Sequence, residues 1–227
     1  MIRSSGWSKY NSWEQSSNLR NLYARRCNLE SEEMTCAAQA IEILAPYASK
    51  GDSLLDIGCG SGYFYHSIAS RNMEVEYWGI DATLSLLEIG RSILPKYGLP
   101  VERLIHCRIE DLDADKDHVL CMNVLSNIDN YQRPLERLLL STRKTLILRE
   151  SVSNNANYLY VKDKYLDAGV DLKVHINTYL ESEFVSFIED YGFEVETFID
   201  RRTGGKPEMI IDYPHHWKFF RATKTKE

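Results

Sequence analysis

Apolar positions along this chain follow two rhythms that alternate. From residue 53 onward, short consecutive apolar runs take turns with stretches in which apolar residues recur every three or four places, the signatures of buried strands and amphipathic helices. Strands are predicted over 53–57, 75–80, 104–107, 119–125 and 145–148. Helices are predicted over 62–70, around Leu84, Leu87 and Ile93 with Pro95 and Gly98 as the stop, and from Pro134 to about Leu140. A helix over 32–48 precedes them, with Ser31 as its cap, Glu32 and Glu33 at its positive end, and Met34, Ala37, Ala38, Ile41 and Leu44 on its buried face. After an interruption at 151–176, Thr178 and Glu181 read as a capping box. The helix it opens has the stripe Leu180, Phe184, Phe187 and Ile188 and stops at Gly192. Two strands close the chain, 193–199 and 217–222, joined by a turn at Gly204 and Gly205. The alternation predicts an α/β fold: a Rossmann-like, mainly parallel seven-stranded sheet covered by helices on both faces, with an antiparallel C-terminal hairpin at one edge.

Composition narrows the class. The 227 residues hold 44% apolar and 26% charged side chains, a globular balance. No stretch reaches the ~20 apolar residues of a membrane helix, and the start, MIRSSGWSKYNSWEQ, lacks the apolar run of a signal peptide. A cytoplasmic protein without membrane contact is expected. A net charge of −6 argues against a nucleic-acid partner. Arg201, Arg202 and Lys206 flank the glycine turn and read as a solvated hairpin tip. Five cysteines with no CxxC spacing fit a reducing compartment and give no zinc site, so no metal is expected.

The strongest local signal is Leu54-Leu55-Asp56-Ile57-Gly58-Cys59-Gly60-Ser61-Gly62, a strand running into a glycine turn and then a helix. Such a turn lets a ligand approach the main chain at the carboxyl ends of the strands. A dinucleotide fingerprint would need glycine at position 63, which is Tyr63. Asp56 beside the loop disfavours a pyrophosphate and suits a cation. Asp81, 19 residues past Gly62 at the end of the second strand, is placed to accept hydrogen bonds from ribose hydroxyls; a cap for the following helix is the plainer alternative.

These segments resemble the class I S-adenosylmethionine-dependent methyltransferases, in particular their small-molecule branch. The likeness runs over about 52–148, more faintly from 178 to the end. It implies that Asp56, Gly58, Cys59, Gly60 and Gly62 form the cofactor loop and that Asp81 and Ala82 hold the ribose end. It implies that Glu110, Asp111 and Leu112 meet the adenine, and that Asn123, after the fourth strand, lies beside the methionine part. Tyr10 would reach the cofactor from an N-terminal lid. Many relatives follow that strand with a Glu-His or His-His pair; this chain has Ser126-Asn127.

The implied reaction is in-line methyl transfer to an O or N atom of a small molecule, leaving S-adenosylhomocysteine. A hydroxyl acceptor needs a base, and the candidates are His175, Tyr158 and His215, with His216 beside the last; His66, His106 and His118 read as structural. Trp7, Tyr10 and Trp13 make the lid candidate. Tyr158, Tyr160, Tyr165, Asp163, Lys164 and Asp167 in the 151–176 insertion suit a polar acceptor such as a sugar or another metabolite. The whole chain, 1–227, reads as one domain: an N-terminal helical cap (1–48), a cofactor core (52–150), the insertion (151–176) and a C-terminal helix with hairpin (177–227). A nicotinamide-dependent oxidoreductase and a non-catalytic cofactor-binding partner subunit are the competing readings.

Overall fold

The computed structural model describes residues 9–225. Its centre is five parallel strands: β1 (Ser53–Ile57), β2 (Glu76–Asp81), β3 (Leu104–His106), β4 (Lys116–Met122) and β5 (Thr142–Ser153). Four further strands join the sheet: β6 (Asn157–Lys162), β7 (Lys173–Leu180), β8 (Phe193–Ile199) and β11 (Trp217–Lys224). The order is β3-β2-β1-β4-β5-β11-β8. β11 lies antiparallel between β5 and the edge strand β8, while β7 leaves the far end of β5 in parallel and pairs with β6. A separate hairpin, β9 (Glu208–Ile210) with β10 (Tyr213–His215), stands in the β8–β11 connection, where the sequence pattern gave only a turn.

Neighbouring residues on the central strands feed opposite layers. Leu55, Val119 and Leu146 face one core; Leu54, Leu120 and Ile147 face the other. With both faces apolar, the strands read as unbroken hydrophobic runs. Helices α2 (Thr35–Leu44), α3 (Phe64–Ser70) and α4 (Leu84–Ile93) cover one side, and α5 (Gln132–Leu140) and α6 (Glu181–Glu189) the other. Among the described residues no helix is long and apolar enough to cross a membrane.

Three expectations are corrected. The helix predicted over 32–48 is α2 with a 3-10 turn (Ala45–Tyr47) after it and coil before it; Ser31 does not cap it, and Glu33 pairs with Arg71 at 2.6 Å. The 178/181 capping box does not form. Thr178 lies inside β7, its hydroxyl 2.8 Å from that of Ser151, and Glu181 holds the Lys218 ammonium. The insertion is not a loop but largely the β6–β7 hairpin. One helix had no counterpart in the pattern: α1 (Ser17–Cys27), capped by Ser16, which buries only Cys27 among its own residues and so shows no apolar stripe.

Candidate active site

The carboxyl ends of β1, β2 and β4 open into one cavity of about 590 Å³. Gly58 and Gly60 give it its floor. Both lie in left-handed backbone (φ 69° and 59°), and neither has room for a side chain. A Cβ on Gly60 would stand 2.1 Å from the Tyr23 ring, and one on Gly58 2.3 Å from Val124. Tyr23 belongs to α1, so the N-terminal helix roofs the glycine loop. Its phenol is buried, and burial pushes its pKa well up.

Two carboxylates lie beneath the loop, and one of them fixes it. Asp81 accepts the Gly60 N–H through one oxygen and the Thr83 N–H through the other, both at 2.7 Å. It is therefore both the anchor ahead of α4 and a residue of the cavity wall. Two of a carboxylate's roughly four acceptor positions are thereby engaged, and the rest are open. Asp56 accepts the Tyr77 hydroxyl at 2.8 Å, and burial pushes it up to about 7.

The turn after β4 forms the next wall. Asn123 adopts φ 59°, and its side-chain oxygen accepts from Arg149 at 2.5 Å. Arg149 is itself buried against Asp200 at 2.9 Å. Glu150, fully buried, receives the N–H groups of Val124, Leu125 and Ser126 and the Ser126 hydroxyl at 2.6–3.0 Å. Asn177 and Tyr179 of β7 hold the carbonyls of Ile128 and Leu125. Two strands, β5 and β7, thus immobilise this turn.

The remaining wall joins the N-terminal segment to the β6–β7 hairpin. Asp167 accepts from the Ser17 N–H (2.8 Å) and hydroxyl (2.7 Å) and pairs with Arg20, while Ser16 donates to the Tyr165 carbonyl. Asn11 reaches the Thr83 hydroxyl at 3.0 Å. The two segments singled out as lid and insertion therefore meet.

Of the expected cofactor residues, Tyr10, Asp56, Gly58, Cys59, Gly60, Asp81, Ala82, Glu110 and Asn123 line the cavity. Gly62 lies behind the loop against Leu104, Asp111 is exposed, and Leu112 is in the core. Trp7 lies outside the described residues. Of the candidate bases only His175 lines the cavity, its ring stacked on Tyr160 at 4.5 Å. Tyr158 points elsewhere, against Tyr179. The candidate base His215 is corrected: it is buried and stacked on Trp217, away from the cavity lining. His66 and His118 are structural, bonded to the Cys27 carbonyl and to Asp52. Sequence reasoning missed Arg26, Ile210 and Ile211 on the wall and Glu150 behind it; only the Tyr23–Arg26 spacing, one helical turn, was there to be read.

Burial pushes His215 from its ordinary 6.5 down to about 4. Between those values the unfolded chain takes a proton that the folded chain refuses. Stability should therefore fall as pH drops from 6.5 toward 4, by up to about 1.4 kcal/mol per pH unit from this group. Urea unfolding of His215→Gln across that window should give a flatter profile than the wild type; an identical slope would overturn the assignment.

The methyltransferase domain family matches residues 48–184, more than half of the chain. The chain belongs to this family, and it is an S-adenosylmethionine-dependent methyltransferase of class I. The nicotinamide reading is thereby set aside. Solved structures agree in fold. An S-adenosylmethionine-dependent methyltransferase from Clostridium acetobutylicum aligns with TM-score 0.63 and 13% identity over 91% of this chain and 97% of its own. Magnesium protoporphyrin IX methyltransferase from Synechocystis, with bound S-adenosylhomocysteine, gives 0.63 and 13% over 96% and 100%. Phosphoethanolamine N-methyltransferase 2 from Haemonchus contortus gives 0.55 and 16% over 83% of this chain and 52% of the other. No curated protein matches the sequence.

Proposed function

We propose that this chain, as one domain in the cytoplasm, transfers a methyl group to an O or N atom of a small-molecule acceptor. The observation that carries the reading is the glycine loop anchored by Asp81 and roofed by α1, opening into a cavity that Asp56 also lines and whose other walls belong to different elements. S-adenosylmethionine bound there supplies an activated methyl group on a sulfonium, and S-adenosylhomocysteine is the product.

The chain's residues fit that cofactor by their chemistry. Asp81 has acceptor positions open for the ribose hydroxyls, and Ala82, Ile109 and Glu110 bound the adenine end. Gly58 and Gly60 let the main chain approach closely, and a bound ammonium near Asp56 would favour the charged form of a carboxyl that burial otherwise holds at about 7. Asn123 and the turn held by Glu150 position the reacting end. The carboxylate of the amino-acid part falls to Arg26. Its guanidinium sits 5.4 Å from the Tyr23 ring centre and 5.1 Å from that of Tyr63, with no carboxylate partner among the described residues. Tyr10, Trp13 and the β6–β7 hairpin exclude water, and His175 receives the proton of a hydroxyl acceptor. The small-molecule reading also draws on the porphyrin and phosphoethanolamine methyltransferases among the similar folds. The cytoplasmic one draws on the five free cysteines.

Calorimetric titration with S-adenosylmethionine, S-adenosylhomocysteine and NAD is the test. Micromolar binding of the two sulfur compounds and none of NAD is expected. Arg26→Met should weaken S-adenosylmethionine about tenfold, the worth of a charge-assisted pair, and leave its decarboxylated analogue unaffected. Equal wild-type affinity for both would overturn the role of Arg26, and no binding of either sulfur compound would overturn the site.

A further inference from the structure

One strained residue marks the acceptor's place. The β9–β10 hairpin turns through two residues, Ile211 and Asp212, both with positive φ (48° and 69°). Such a turn ordinarily takes asparagine or glycine, and a β-branched side chain is a true outlier there. Here the strain delivers an apolar side chain to the cavity wall: Ile211 is 9% exposed and lines the cavity beside Ile210. Strained residues held in place by their surroundings cluster at ligand sites. The surroundings are visible: the β9–β10 ladder closes the turn and the Ile211 side chain is buried, with an exposed Asp212–Lys164 pair at 2.6 Å to the neighbouring hairpin loop.

That second hairpin supplies rings. Tyr160 and His175 stack at 28° between planes and both line the cavity, yet Tyr160 leaves 57% of its surface exposed. Tyr10, Trp13 and Tyr165 add exposed rings to the same lining. Polar groups near them are few and partly engaged: Asp129, Asp163 and Lys173 line the same end, Lys173 over the Tyr160 ring. Asp163 receives the Tyr165 N–H, Asn177 bonds Ile128 and Leu159, and the Asn127 amide donates to the Asn123 carbonyl. A sugar would bring a shell of hydroxyls on every side, more than these few side chains can receive, and would lose water from the remainder against the isoleucine and tyrosine walls. A flat ring would bury its faces against isoleucine and tyrosine.

Resting on the methyltransferase reading above, we infer that the acceptor is a flat aromatic molecule, held between the Ile210–Ile211 turn and the Tyr160–His175 stack, rather than a sugar.

The test uses the full chain loaded with S-adenosylhomocysteine, with 2-naphthol and quinoline as flat probes and glucose and ethanolamine as controls. Binding is read by saturation-transfer NMR and by tryptophan fluorescence. The flat probes should bind and the controls should not. Ile211→Gly removes the side chain and relieves the turn, so its Tm should equal or exceed that of the wild type while 2-naphthol affinity drops about tenfold. Tyr160→Ala, at an exposed position, should weaken the probe by a similar factor. Both variants should keep their S-adenosylhomocysteine affinity. Binding of glucose or ethanolamine as tight as that of 2-naphthol would overturn the inference, as would unchanged probe affinity in both variants. A fall in Tm of Ile211→Gly with unchanged probe affinity would reduce Ile211 to packing and overturn it too. Failure of the wild type to bind S-adenosylhomocysteine would instead overturn the cofactor reading beneath it.

Discussion

Asp81→Ala should lose about a hundredfold in affinity for S-adenosylhomocysteine while the protein stays folded. The carboxylate has two tasks at one place. Its 2.7 Å bonds to the Gly60 and Thr83 amides set the shape of the loop, and its open acceptor positions face the cavity for a ribose. Removing it withdraws charge-assisted hydrogen bonds worth about 1.5–3 kcal/mol each from a site shielded from water. The fold itself should suffer less. Burial raises the pKa of Asp81, because the folded chain tolerates its charge only at a cost, so alanine relieves part of what it removes. Asp81→Asn, which keeps one acceptor oxygen, should fall between. Titration calorimetry with parallel thermal melts gives both numbers. An unchanged affinity in Asp81→Ala would leave Asp81 as only the turn anchor.

The parts of the fold that were legible are those whose physics is local. The strand 193–199 is β8 residue for residue, and β1 coincides with 53–57, because consecutive apolar positions on a sheet covered on both sides look the same from either face. The strand predicted to end at Leu148 continues to Ser153 as β5. Its extension reads Arg149-Glu150-Ser151, which hydropathy takes as the end of a strand. All three are buried, and their partners are far off in sequence: Asp200 for the arginine, the 124–126 amides for the glutamate, Thr178 for the serine. β4 likewise begins at Lys116, earlier than its apolar run, because Asp117 binds Ser53 and His118 binds Asp52.

The site divides along the same line. The glycine loop and Asp81 were readable, since strand, turn and helix follow one another within 30 residues. The roof was not. Tyr23 meets Gly60 across 37 positions, from a helix whose polar sequence advertises no buried face. Leu112 was placed at the adenine by analogy with a motif, whereas its apolar side chain goes to the core, and of the three residues named there Glu110 alone reaches the cavity. His215 failed for a reason of burial: it ends β10, in a hairpin unseen in the pattern, and its ring is buried against Trp217.

Glu150 is where stability and function should fail together. Its two oxygens receive four donors, the Val124 and Leu125 amides on one and the Ser126 amide and hydroxyl on the other. Burial raises its pKa above the usual glutamate range, and these donors work against that rise. Glu150→Ala would orphan three main-chain N–H groups in a water-free interior, at a cost of about 3–5 kcal/mol. For a domain of this size that corresponds to a Tm lower by about 10 °C. The loss should also reach the cavity. The turn from Asn123 to Ile128 would keep its Arg149, Ser151, Asn177 and Tyr179 contacts but lose all four to Glu150, so cofactor affinity should fall even where the variant is fully folded. Glu150→Gln separates the two effects. Its amide oxygen can still serve one pair of donors, but its NH₂ faces the other pair and leaves the Ser126 amide without an acceptor. It should therefore lose about half of the stability lost by alanine, and retain measurable S-adenosylhomocysteine binding at 20 °C. Thermal melts and titrations on the three proteins decide the matter. A Glu150→Ala variant within about 2 °C of the wild type would mean that water replaces the carboxylate and that the turn does not depend on it.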